Sequence, residues 1–166
     1  MEINLLEKYP KTKRNLEKRS SEKSDETRNI ARMFGKEFFD GDRKFGYGGL
    51  IYNPKYWSEV VLTFKKHWNI QKDDSILDVG CAKGFMIYDF FRLIKGVKLH
   101  GVDISDYAIE NSHPQIKNLL SVSDAKKLPF KNKSFDYVIS INTVHNLEIN
   151  DCIKAINEIS RISKKN

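Results

Sequence analysis

The sequence has almost no cysteine: Cys81 and Cys152 are the only two in 166 residues. Two thiols cannot make a disulfide framework or a four-ligand zinc site, so a reducing cytoplasm is the expected setting. No two histidines stand at helical metal-ligand spacing, so no metal is expected. No run of about 18 apolar residues exists, which excludes a membrane-spanning helix. The start, Met1-Glu2-Ile3-Asn4, lacks a basic stretch followed by an apolar one, and no secretory signal is expected. No block of one charge occurs. The net charge of +7 is spread along the chain. Without a basic stripe it reads as lysine-rich solvated faces, and nucleic acid is not an expected partner. Hydrophobic residues make up 40% and charged residues 31%. Against the usual ~45–50% and ~25%, this implies a core with a polar appendage. The length suits one domain.

Residues 1–33 form the polar part, expected as helical pieces or a mobile arm. Ile30, Met33, Phe34 and Phe38 fit one face of a single helix over residues 30–39. A cover over residues 34–70 follows. It contains the glycine- and tyrosine-rich loop Phe45-Gly46-Tyr47-Gly48-Gly49-Leu50-Ile51-Tyr52. Pro54 then opens a helix that runs to about Trp68. From residue 71 to 166 the rhythm alternates. Strands are predicted at 75–79, 97–102, 119–122 and 135–141. Helices are predicted at 85–95, from 107 and over 149–162. Apolar strands alternating with helices imply an α/β fold with a parallel sheet covered on both faces.

Three stretches carry chemistry. Leu77-Asp78-Val79-Gly80-Cys81-Ala82-Lys83-Gly84 is a strand feeding a tight glycine turn that opens a helix. Such a turn lets backbone approach a ligand closely and presents free N–H groups. Asp103 ends the second strand, where a carboxylate can accept hydrogen bonds from two ribose hydroxyls. Asp124 follows the third strand, ahead of Leu128-Pro129-Phe130, and is placed to meet a ligand amine. Ser134-Phe135-Asp136 opens the fourth strand and Asn142 ends it. Cys81 is expected to be a packing residue and Lys83 to face solvent. His67, His100 and His113 read as structural. The glycine spacing disfavours a nicotinamide-dependent oxidoreductase, and no phosphate-loop motif is present.

This ordered series resembles the class I S-adenosylmethionine-dependent methyltransferases over about residues 45–162. The resemblance implies a Rossmann-like doubly wound sheet with strand order 3-2-1-4 for the four visible strands. The usual sheet has seven strands, and its C-terminal part has no residues here. The implied cofactor is S-adenosyl-L-methionine. Gly80, Ala82 and Gly84 would bring backbone against its methionine part, and Asp78 would help hold the amino group. Asp103 would bind the ribose, with Ile104 packing on adenine. Asp124 would bind the adenine amine with Ala125 beside it, and Asn142 would sit near the methionine carboxylate or the entering substrate. Asp136 is expected to be structural. Ala82 stands where the family has glycine; its methyl is tolerable provided φ is negative there. Tyr47 or Tyr52 would close over the methyl donor. His145, just past strand four, is the candidate general base, since a histidine exchanges a proton near neutral pH.

The expected function is methyl transfer to a small-molecule or glycan-like acceptor. The alternative is a cofactor-binding fragment, catalytically incompetent until a partner or further segment completes it. Its motivation is strand four, which would be an unpaired apolar edge open to self-association.

Overall fold

The computed structural model describes residues 3–11 and 24–164. Four strands form one parallel sheet: β1 (Ser75–Val79), β2 (Lys98–Asp103), β3 (Leu120–Val122) and β4 (Tyr137–Ile139). Their order is β3-β2-β1-β4, the expected 3-2-1-4 arrangement of a Rossmann-like fold. In register, Asp78 lies beside Gly101 of β2 and Ile139 of β4. Around the sheet run α1 (Asp25–Arg32), α2 (Lys36–Phe39), α3 (Pro54–Trp68), α4 (Phe85–Leu93), α5 (Asp106–Glu110) and α6 (Ile149–Ile162).

Strand alternation divides the core between two faces. Ile76 points to one side, among Val60, Val61 and Phe64 of α3 and Met86 and Phe90 of α4. Leu77 points to the other, among Val102, Leu128 and Ile162 of α6. Val60 and Val61 are fully buried. Each contributes roughly 1.5–3 kcal/mol relative to exposure. Helix α3 starts where Asn53 Oδ1 accepts the Lys55 N–H and Pro54 takes the first position. It stops at Asn69, which turns left-handed with φ 51°.

Three local expectations change. Residues 30–39 are two helices, not one. Helix α1 begins earlier, at Asp25, because the Ser24 hydroxyl caps the Thr27 N–H. The break falls at Phe34, whose φ is 48°, and Gly35 starts α2. Second, residues 3–11 are docked: Leu5, Leu6 and Tyr9 pack on the α3–α4 core, and the Tyr9 and Trp57 rings lie 4.9 Å apart. Residues 12–23 of the polar arm lie outside the described residues. Third, β4 is shorter than predicted. Ahead of it, Phe135 makes an isolated parallel bridge to Ser163. Phe135 N–H donates to Ile162 O and Lys164 N–H to Phe135 O. The segment after α6 therefore partners the approach to β4; among the described residues, Tyr137–Ile139 themselves pair only with β1.

Asp136 stands at the strand-start end of the sheet. It accepts hydrogen bonds from the Ser75 hydroxyl and N–H and lies 3.0 Å from Lys164 Nζ. Burial pushes its carboxyl up, but the Ser75 and Lys164 interactions outweigh it and hold the carboxyl at about 2. Among the described residues no helix is long and apolar enough to cross a membrane.

Candidate functional site

The carboxyl ends of β1 and β2 meet at the glycine turn, residues 80–84. The turn is sewn to β2 where the N–H groups of Gly80 and Cys81 both donate to Val102 O, at 2.7 and 3.0 Å. Gly80 has φ 86°, and a Cβ there would fall 2.0 Å from Thr143 Oγ1. Glycine is required on both counts. The Thr143 hydroxyl donates to Val79 O at 3.1 Å, so the segment after β4 is clamped over the turn. Gly84, φ 75°, lets the chain pass under Ile116 and Leu120 into α4.

Asp103 organises the turn from the side. Its Oδ2 accepts the Ala82 N–H at 2.7 Å and its Oδ1 accepts the Ser105 N–H at 2.9 Å. Burial pushes this carboxyl up, against the opposing N–H bonds of Ser105, Ala82 and Ile104. Each oxygen keeps lone-pair capacity for a further donor. Asp78, only 4% exposed, accepts no side-chain hydrogen bond from any described residue. Burial first, and then the charge of Asp103, push its carboxyl up to about 8. The same burial, with both carboxylates nearby, pushes the Cys81 thiol well up. Cys81 is thus a packing residue and a poor nucleophile.

Ala82 overturns one expectation. Its φ is 51°, not negative, so the methyl sits in the left-handed region. An L-residue with a Cβ is disfavoured there by roughly 1–2 kcal/mol. Ala82→Gly should therefore raise stability by about 0.5–1 kcal/mol, once the entropy of a freer unfolded chain is subtracted. Guanidinium unfolding measures this; an unchanged or lowered midpoint would contradict it.

Lys83 is a second correction. It does not face solvent. Its side chain is buried and its Nζ lies 2.7 Å from both oxygens of Asp40 and 3.1 Å from Leu50 O. The Tyr107 hydroxyl also donates to Asp40, at 2.7 Å. Burial raises the Asp40 carboxyl, but Lys83, Tyr107 and the Leu50 N–H together hold it below its ordinary value. This latch fastens the cover to the glycine turn.

The other sequence-predicted residues spread around this centre. Ile104 is exposed beside Asp103. Asp124 is half-exposed, accepts the Lys126 N–H and lies 3.6 Å from Lys126 Nζ, while Ala125 packs towards Leu128. Asn142 is exposed with φ 57°. His145 is exposed on the short turn Val144–Asn146. The two cover tyrosines are held by contacts within the cover and with α4. Tyr52 donates its hydroxyl to the fully buried Asp89 at 2.7 Å and packs edge-on against Phe85 and Tyr88 of α4. Tyr47 stacks on Phe39 at 5.9 Å and is 43% exposed. The remaining three histidines have partners: His100 Nε2 and Ser121 Oγ are 3.0 Å apart, His113 stacks on Tyr88, and His67 meets Trp68 edge-on at 6.3 Å.

Sequence reasoning missed Lys83, Asp40, Thr143 and Phe34 as parts of this region. Lys83 and Asp40 are 43 positions apart, and no local pattern couples them. Phe34 contributes its carbonyl, which accepts the Ser105 hydroxyl at 2.5 Å. A main-chain group leaves no signature in side-chain identity.

Comparisons with known proteins bear on this arrangement. A profile of the family described as "Methyltransferase domain" matches residues 77–166, more than half of the chain. An uncharacterized methyltransferase from Bacillus subtilis, YdaC, is 32% identical over 99 residues, covering 57% of this chain and 53% of that protein. The human mitochondrial arginine-hydroxylase NDUFAF5 is 33% identical over 89 residues, covering 53% of this chain and 25% of that one. The crystal structure of MccD protein matches with TM-score 0.51 and 29% identity, over 62% of this chain and 47% of that chain. The chain thus spans from a quarter to about half the length of these relatives. The profile match and the acid–glycine–acid geometry agree: the chain belongs to the methyltransferase domain family of class I S-adenosylmethionine-dependent enzymes.

Proposed function

We propose that this chain binds S-adenosylmethionine at the carboxyl edge of its sheet and transfers the methyl group to a small-molecule acceptor. The observation that carries this reading is Asp78, a buried carboxyl with no hydrogen-bond donor among the described residues, set beside Asp103 and the glycine turn. That donor set fits the cofactor's chemistry. An unpartnered buried acid suits a ligand ammonium, and the spare lone pairs of Asp103 suit a vicinal diol. Ile104 offers an exposed apolar surface for a flat ring, and Asp124 an acceptor for an exocyclic amine. Asn142 stands beside Thr143 at the turn, within reach of a carboxylate.

The cofactor supplies an activated methyl group on a sulfonium. The chain's task is then to position the acceptor and exclude water. His145 is assigned as the group that takes the proton from the acceptor hydroxyl or amine. Tyr47 and Tyr52 are assigned to shaping the cover rather than to closing over the methyl donor.

Calorimetry with S-adenosylhomocysteine tests the reading. Binding with a dissociation constant in the micromolar range is expected. No heat at millimolar ligand, with the protein shown folded by circular dichroism, would sink the site assignment. The likeness to a protein named as a hydroxylase makes the reaction worth checking directly. Methyl transfer requires one S-adenosylhomocysteine per methylated acceptor, and a different ratio would reject it.

A further inference from the structure

A cavity of about 460 Å³ lies between α1, the cover loop and the turn that carries His145. Its size falls within the ~300–1,000 Å³ of small-molecule sites. Two contacts place it next to the candidate cofactor site. Phe34, on its wall, holds the Ser105 hydroxyl just beyond Asp103. His145, also in its lining, lies two residues after the Thr143 that covers Gly80.

The lining has one sign of charge. Arg28, Arg32 and Lys44 contribute cations, and no carboxylate lines it among the described residues. Arg28 is committed to Asp25 at 3.3 Å. Arg32 has no hydrogen bond or ion pair with any described residue. Lys44 sits over the Phe45 ring at 4.8 Å and likewise has no carboxylate partner. Phe34, Phe38 and Phe45 supply the apolar walls. A concave site whose cations have no carboxylate partner among the described residues, set on aromatic walls, attracts an oxyanion attached to an apolar body.

We propose that this cavity is the acceptor site and that it selects a small anionic acceptor, an aromatic or alkyl body carrying a carboxylate or phosphate. This rests on the methyl-transfer reading and narrows it, since a neutral sugar would leave both cations unanswered. Arg32 and Lys44 are the specificity-determining residues, gripping the oxyanion so that the reactive end of the molecule faces His145.

Benzoate, phenyl phosphate and the neutral isostere benzamide test the proposal by saturation-transfer NMR titration of the whole chain. At least one anion should bind about tenfold tighter than benzamide, and the order of the two anions identifies the oxyanion. The double variant Arg32→Gln, Lys44→Gln should abolish that advantage while S-adenosylhomocysteine affinity stays within about twofold. Equal binding of benzamide and both anions would overturn the proposal. So would an anion preference that survives the double variant. Loss of S-adenosylhomocysteine binding by the unaltered chain would instead strike the cofactor assignment, since the anion titration is read separately.

Discussion

Replacing Asp103 with alanine should weaken S-adenosylhomocysteine binding by at least about 100-fold. Two charge-assisted hydrogen bonds to ribose hydroxyls would be lost, each worth about 1.5–3 kcal/mol. The side chain does more than meet ligand. Its oxygens hold the N–H groups of Ala82 and Ser105, so removal also frees the glycine turn and strands two donors. An unsatisfied buried donor costs about 1–3 kcal/mol, and the variant's thermal midpoint should fall as well. Asp136→Ala supplies the contrast. That carboxylate is bonded to Ser75 and Lys164 at the opposite end of the sheet, so its loss should lower stability and leave affinity unchanged. Asp103→Asn separates the two roles of Asp103. The amide keeps an acceptor for one N–H while removing the charge, so it should recover much of the stability and little of the affinity. Calorimetry on all three variants, each shown folded, decides the matter. Equal affinity losses for Asp103→Ala and Asp136→Ala would refute the assigned roles.

The sequence was informative wherever a property repeats locally. Alternating apolar strands and helices predicted the parallel sheet, because a strand buried on both faces is mostly apolar, as Ile76, Leu77 and Val79 are around Asp78. The turn and the acids at strand ends were visible because their residue types are dictated by backbone shape and ligand charge. Ala82 shows the limit of that reading. Residue identity did not disclose φ, and the turn is left-handed at a residue that disfavours it. The cover was the least legible part. Its one apolar stripe over residues 30–39 conceals a break at Phe34, where a long-range bond to Ser105 outweighs helical periodicity. Lys83 read as a surface lysine for the same reason. Its burial depends on Asp40, Leu50 and the packing of Tyr107, which come together only when the cover folds over the turn.

Asp78 makes the protein's response to pH the most distinctive of its expected properties. Burial pushes both Asp78 and Asp103 up, and the charge of Asp103 pushes Asp78 further. The free protein resolves the conflict unequally. Asp103 has three N–H groups favouring its charge, whereas Asp78 has no hydrogen bond among the described residues favouring its own. Asp78 therefore carries the proton, with its carboxyl at about 8 against an ordinary 3.8. The sign for stability follows. Below pH ~4 both the folded and unfolded states hold the proton. Between pH ~4 and ~8 only the folded state does, so stability falls as pH rises, by up to about 1.4 kcal/mol per unit from this group. Ligand binding runs the other way. An ammonium seated against Asp78 needs the carboxylate, so protons compete with the ligand. Affinity for S-adenosylhomocysteine should rise about tenfold per unit from pH 5 to 7, where the ligand's amine stays charged. Binding should also release close to one proton, read as a dependence of the heat on the buffer's ionisation enthalpy. Asp78→Asn should flatten both profiles: affinity low and independent of pH, and stability gaining on the unaltered chain as pH rises from 5 to 7. Calorimetry in two buffers and urea unfolding across that range check each limb. A flat affinity profile for the unaltered chain would show that Asp78 is already ionised, and would remove it from the ammonium site.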